Sequence, residues 1–134
     1  MKAICLELKE SEGDQLNGRK FDLIVCVSAY HHIEDIASIT RILAFYLKPS
    51  GKLIVLDLMK DSTTCDKFYR KQCNKHNESC KDGFDPKEIE KIFLDTGILE
   101  DVKVEVAFNF KKFIEKGQKE YIIEYLIAKG KRLE

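Results

Sequence analysis

One stretch, Phe21 to Leu58, limits what this chain can fold into: FDLIVCVSAYHHIEDIASITRILAFYLKPSGKLIVLDL. Its ends, Leu23 to Val27 and Leu53 to Leu58, are short runs rich in Val, Ile and Leu, the composition of strands buried on both faces of a parallel sheet. Between them Ile36, Ile39, Leu43, Tyr46 and Leu47 recur at helical spacing and predict an amphipathic helix with one stripe against the sheet. Lys48-Pro49-Ser50-Gly51 is expected to stop that helix, because Pro49 disfavours helical backbone at Lys48 and Gly51 can take positive φ in the turn. Strand, crossover helix and parallel strand make a right-handed βαβ unit. Ligands of such sheets bind outside the carboxyl ends of the strands, which directs attention to Ser28 through Asp35.

The order and separation of these pieces carry a resemblance. FDLIV, a small residue, an aromatic residue, His31-His32-Ile33, an amphipathic helix, Leu47-Lys48-Pro49-Ser50-Gly51 and IVLDL together resemble the fourth and fifth strands of a class I S-adenosylmethionine-dependent methyltransferase. Downstream, DGFDPKEIEKIFLDTGI is similar to that family's late helix, and the two strand patterns after it are similar to its terminal antiparallel pair. The resemblance implies an α/β fold: a partial Rossmann-like methyltransferase sheet, parallel strands with a terminal antiparallel pair, in one domain over 1–134 that is amino-terminally truncated relative to the family. It also implies that KAICLEL, Lys2 to Leu8, is the family's third strand.

The family's glycine-rich first turn, and the acidic residue that ends its second strand, have no counterpart. The glycines ahead of the fourth strand are Gly13 and Gly18, and neither follows a strand and opens a helix. Because the family's first and second strands lie between its third and fourth, Leu23 to Val27 is expected to present an unpaired apolar edge. Three arrangements answer that problem: Ala3 to Leu8 moves in beside the edge, a second chain covers it, or the sequence is a fragment of a longer protein.

The rest of the chain reads more locally. Lys9 to Lys20 is a polar loop with room for a brief helical turn. Ser62 or Thr63 can cap a helix running through Asn74, and Asn74 to Gly83 is loop. Asp85 as cap, Pro86 in the first helical position and Glu88 in capping-box register mark the clearest helix start; Ile89, Ile92 and Phe93 form its stripe and Gly97 ends it. Val102, Val104, Val106, Phe108 and Phe110 alternate on one face of a half-exposed strand, with Lys103, Glu105 and Asn109 opposite. Lys111 to Lys119 is a connector, Tyr121 to Ala128 the last strand, and Lys129 to Glu134 a solvated tail.

Lysines interleave with glutamates and the formal net charge is +0, a balance with no nucleic-acid footprint and no polybasic membrane patch. No apolar run approaches the roughly 20 residues that span a bilayer, and Met1 to Glu10 has no secretory signal pattern. A cytoplasmic protein is expected. The cysteines at 5, 26, 65, 73 and 80 are an odd number. Cys5 and Cys26 fall in predicted strands, where a thiol acts as a small apolar group. Cys65, Cys73, His76 and Cys80 invite a zinc reading, but a continuous helix would hold Cys65 and Cys73 about 12 Å apart along its axis, too far to share one ion. Reduced thiols and no metal are expected.

Candidate chemistry gathers behind the first strand of the unit. The resemblance implies that Ser28, Ala29 and Tyr30 form the floor beneath S-adenosylmethionine; a tight turn needing small residues is the plainer account. His31 is the candidate base, since an imidazole can accept a proton from an attacking hydroxyl or amine. His32 is expected to be structural, because neighbouring side chains in a turn point apart. Asp35 is expected to cap the helix. By the resemblance Glu7 would meet the adenine edge of the cofactor and Asp57 would lie at the substrate pocket, where a buried carboxylate needs a partner.

Two functions from different classes follow. One is methyl transfer from S-adenosylmethionine to a small-molecule or protein acceptor. The other is a non-catalytic methyltransferase-like fragment acting as an interaction module; the missing glycine turn favours this second reading for the polypeptide alone, and the strand-and-helix signature favours the first for its ancestry. Self-association, or a partner chain over the exposed strand edge, is among the arrangements that the unpaired edge allows.

Overall fold

The structure, a computed structural model, describes residues 3–9, 15–60, 83–114 and 119–134, with the side chains at 111–114 and 119–121 left out of the description. Strand β1 (Phe21–Val27), helix α1 (Ile36–Phe45) and strand β2 (Leu47–Leu58) form the expected unit, and β1 pairs parallel with β2, Ile24 beside Leu53 and Cys26 beside Val55. Helix α2 (Pro86–Asp95) then leads into the antiparallel hairpin of β3 (Leu99–Ile114) and β4 (Lys119–Arg132). The sheet order is β1-β2-β4-β3, with β4 antiparallel to β2, so β1 is an edge.

Local chemistry explains the helix bounds. The Asp35 carboxylate accepts from Ser38 N at 3.0 Å and opens α1. Ile36, Thr40 and Ala44 are its buried stripe. The helix ends at Phe45, so Tyr46 and Leu47, expected as the end of that stripe, sit instead in the turn and at the start of β2; both are buried all the same. The carbonyls freed there meet cations: Lys20 Nζ donates to Phe45 O at 2.5 Å, and Arg132 donates to Phe45 O at 2.9 Å and to Leu47 O. Positive charge at the negative end of a helix is stabilising. The expected free tail after Lys129 is therefore tied down, with β4 running through Arg132. In α2, Asp85 Oδ1 accepts from Lys87 N at 2.9 Å, Pro86 takes the first turn, Ile89 and Phe93 are buried, and Gly97 at φ 72 follows the last turn.

The Lys48 to Gly51 turn is also revised. These residues belong to β2, with a register shift between Phe21 and Leu23 on β1. Positive φ falls on Ser50, at 66°, and not on Gly51. Gly51 is needed for space: a Cβ there would lie 2.9 Å from both Lys48 O and Phe21 O.

Both described helices pack on one side of the sheet. Tyr30, Ile36, Ala44, Phe84, Ile89 and Phe93 close over Leu53 and Val55 of β2 and Leu126 and Ala128 of β4. The other side is bare on β1, where Leu23, Val25 and Val27 are 52%, 51% and 55% exposed. Burial on both faces, expected for these runs, is not met for Leu23 to Val27, whereas in β2 Ile54 and Leu56 are half-buried and Leu58 is buried on that same side. The alternation of β3 fails for a different reason. Val104 and Val106 pair with Ala128 and Leu126, on the helix side, but a register shift between Val106 and Phe108 places Phe108 opposite Tyr125 and Phe110 opposite Ile123. A one-residue slip moves every later side chain to the other face, so Phe108 and Phe110 lie on the bare side.

Residues 3–9 form no strand, contrary to the reading of 2–8, and Cys5 is exposed. Gln15 ties them to the following turn, accepting from Lys9 N at 2.6 Å and donating to Glu7 O at 2.7 Å. An apolar run becomes a strand only with a ladder partner, and among the described residues β1 pairs with β2 alone. The arrangement in which Ala3 to Leu8 covers the β1 edge is thereby excluded. The helix read between 62 and 74 and the Cys65, Cys73, His76, Cys80 set lie outside the described residues. Among the described residues no group of three or more metal-ligating side chains assembles, and no helix is long and apolar enough to cross a membrane.

Candidate active site

β1 ends in a left-handed residue. Ser28 has φ 55, a conformation that costs a residue other than glycine about 1–3 kcal/mol unless its surroundings enforce it. Two bonds do so: Ser28 N donates to Leu56 O at 2.8 Å, and Ser28 Oγ lies 2.8 Å from the Tyr125 hydroxyl. Tyr125 stacks on Phe108, ring centroids 5.0 Å apart at 13°. The bare face of the sheet thus ends in an aromatic pair joined to the first residue of the expected site.

After half-buried Ala29 comes a short 3-10 turn, Tyr30–His32. Tyr30 is wholly buried, with its hydroxyl 2.8 Å from Thr40 Oγ1. Thr40 spends its own hydrogen on Ile36 O at 2.6 Å, so the Tyr30 hydroxyl is the donor to Thr40. Burial pushes the Tyr30 phenol well above its ordinary value; the Thr40 bond works against that, and Cys26 and Asp57 add to it. The Tyr30 ring is core, and only its backbone can border a ligand.

His31 and Asp57 form the central pair. Asp57 has no exposed surface and His31 is 6% exposed. Asp57 Oδ1 lies 2.8 Å from His31 Nδ1 and accepts from Leu58 N at 2.7 Å, while Oδ2 accepts from His31 N at 3.2 Å. A carboxylate only accepts, so Nδ1 carries the hydrogen. The parallel register explains the meeting: His31 follows the end of β1, and Asp57 is on β2 one residue past Leu56, the partner of Val27. Asp57, read in sequence as a substrate contact, is buried beneath His31 with its oxygens engaged by protein, the geometry of an orienting carboxylate. Burial and this same charge push the Cys26 thiol up, burial being the larger cause.

The histidine rings do not point apart as expected. In the 3-10 turn their centroids are 3.9 Å apart at 43°, with His31 buried and His32 exposed. Glu7 is exposed and lines a shallow groove with Ile33, Asp35, Ser38 and Ile39 along α1. The strand end that was to aim it at an adenine does not form. The sequence reading assigns no place at the site to Tyr125, Phe108 or Thr40. A tyrosine inside an apolar strand is the one signal that marked Tyr125, since a phenol so placed needs a polar partner.

The comparisons with known proteins bear on the fold. A Bacillus halodurans protein assigned as a methyltransferase superposes with a TM-score of 0.65 at 14% identity, over 87% of this chain and 66% of that one. Phosphoethanolamine N-methyltransferase 2 of Haemonchus contortus, in complex with S-adenosyl-L-methionine, gives 0.61 at 15% identity, over 85% of this chain and 34% of that one. A SAM-dependent methyltransferase of Thermotoga maritima gives 0.59 at 19% identity, over 85% and 57%. The chain has the class I methyltransferase fold. In sequence, a Schizosaccharomyces pombe protein named as an uncharacterized methyltransferase is 34% identical over 91 residues, which make up 67% of this chain. The matched region is 32% of that relative, so the alignment spans about a third of its length. No family model matches the chain.

Proposed function

We propose that this chain carries the acceptor side of an S-adenosylmethionine-dependent methyltransferase site, with His31 as general base and Asp57 as the residue that orients it. The observation that carries this reading is the buried Asp57 carboxylate, which holds His31 through both backbone and ring at the carboxyl ends of two parallel strands. That is the ligand position of α/β sheets, and a carboxylate on Nδ1 is how a histidine is kept as a base at Nε2.

S-adenosylmethionine would supply an electrophilic methyl group. The floor for it fits: Ser28 is held at φ 55, Ala29 is small, and the Tyr30 ring is withdrawn into the core, leaving backbone to face a ligand. His31 would take, at Nε2, the proton of an acceptor hydroxyl or amine. The acceptor is a small molecule or a protein side chain. The bare β1 side is the place for self-association or for a partner chain.

Calorimetric titration of the purified chain with S-adenosylmethionine tests the reading. Saturable heat supports it. A flat trace from a chain with a native far-ultraviolet spectrum overturns it for this polypeptide and favours the non-catalytic module.

A further inference from the structure

At the opposite end of the bare face, on the strand ends away from His31, four lysines converge. Lys52 pairs across the ladder with Lys131, and Lys129 pairs with Ile54 on one side and Lys103 on the other. Strand alternation puts all four side chains on one face, where they line a cleft of about 500 Å³ with Ile54, Asp101 and Gly130. Lys52 lies roughly 16 Å along β2 from Asp57, five residues at strand rise, so the cleft is separate from the candidate active site.

Such a cluster is costly for the fold alone. Like charges directly opposite each other on neighbouring strands are destabilising, and this chain has acidic residues equal in number to its basic ones. Two of the lysines have acidic neighbours at long range, Lys131 to Glu100 at 3.8 Å and Lys103 to Glu105 at 3.7 Å. Lys52 and Lys129 make no ion pair among the described residues. With Asp101 counted, the lining carries four positive charges and one negative. The volume is in the range of small-ligand sites, roughly 300–1,000 Å³, and lysine ammonium groups are freely oriented point charges that suit phosphate oxygens.

We infer that this cleft binds a small anion carrying two or more linked phosphates. Adjacent phosphates present closely spaced negative charge, which answers several ammonium groups at once, whereas a single carboxylate would leave most of them facing one another. Ile54 forms an apolar wall that an attached organic group can lie against.

The test uses the full chain and two probes, tripolyphosphate and ATP, in calorimetric titrations at low and at high salt. Saturable binding that weakens with salt is expected for tripolyphosphate. The exposed-site double variant Lys52→Gln/Lys129→Gln should weaken it by about tenfold or more, while Lys48→Gln/Lys91→Gln, equal in charge change but outside the cleft, should stay within about twofold of the parent. Tighter binding of ATP than of tripolyphosphate would assign the site to a nucleotide, and equal binding to bare phosphates. Absence of saturable heat, or an equal loss in both double variants, overturns the inference. Far-ultraviolet spectra of the variants confirm that each is folded.

Discussion

Ser28 and Tyr125, separated by 97 positions in the chain, meet through their hydroxyls at 2.8 Å. The contact fastens the end of the first strand to the last one, and it does so at a residue whose backbone is left-handed. If the bond is what holds that conformation, Tyr125→Phe and Ser28→Ala should each lower stability by about 0.5–1.5 kcal/mol. The double variant should lose little more than either single one, since both remove the same contact. Urea midpoints for the four proteins decide it; additive losses would mean the hydroxyls act independently.

The His31–Asp57 pair makes a prediction about tautomers. Long-range ¹⁵N correlation spectra should report His31 with its hydrogen on Nδ1, and Asp57→Asn should disturb that preference, since an amide can donate as well as accept. Asp57→Ala should also destabilise the fold by about 1–3 kcal/mol, because His31 N and Leu58 N lose a buried acceptor. In a methyl-transfer assay Asp57→Asn should slow turnover by about 10²-fold or more while leaving cofactor affinity near the parent value. An unchanged tautomer in the variant would remove Asp57 from the orienting role.

Buried Tyr30 gives a pH dependence with a definite sign. Below about pH 10, the ordinary phenol value, folded and unfolded chains both hold the proton and the group contributes no difference. Above it the unfolded chain ionises while the folded chain keeps its proton, since burial has pushed the phenol up. The folded state then binds more protons, so stability falls as pH rises beyond about 10. Absorbance near 295 nm should register one tyrosine that ionises only as the protein unfolds, and Tyr30→Phe should abolish that component. Thr40→Val, which strands the Tyr30 hydroxyl in the core, should cost about 1–3 kcal/mol, and Thr40→Val/Tyr30→Phe less than that.

At the start of β2 two adjacent residues should respond in opposite directions. Gly51→Ala puts a methyl group against two carbonyl oxygens at 2.9 Å and should lower stability by about 1–3 kcal/mol. Ser50→Gly, at φ 66, should raise it by up to about 1 kcal/mol. Thermal melts read both, and a neutral Gly51→Ala would mean that the strand start shifts freely.

How far the fold was legible depended on how local each signal was. Val, Ile and Leu in short runs around an i, i+3, i+4 stripe sufficed for the parallel unit, and Asp85-Pro86 for the second helix, because strand composition and capping act over a few residues. The run at 2–8 has the same composition as a strand and forms none, since pairing needs a neighbour that composition cannot supply. Phe108 and Phe110 were placed on the wrong face because the slip after Val106 leaves no mark in the alternation of residues. At the site, His31 and Asp57 were each picked out singly, His31 as a base and Asp57 as a contact. Their joint geometry, a carboxylate under an imidazole, follows from strand register, as does the meeting of Ser28 with Tyr125, and register is a property of the folded sheet.

The uncovered side of β1 has a practical outcome for anyone handling the protein. Leu23, Val25 and Val27 stand in a row on an edge strand, a greasy ledge beside a ladder that can still be extended. Sedimentation should vary with loading concentration, and detergent micelles or a dye such as ANS should bind along this wall.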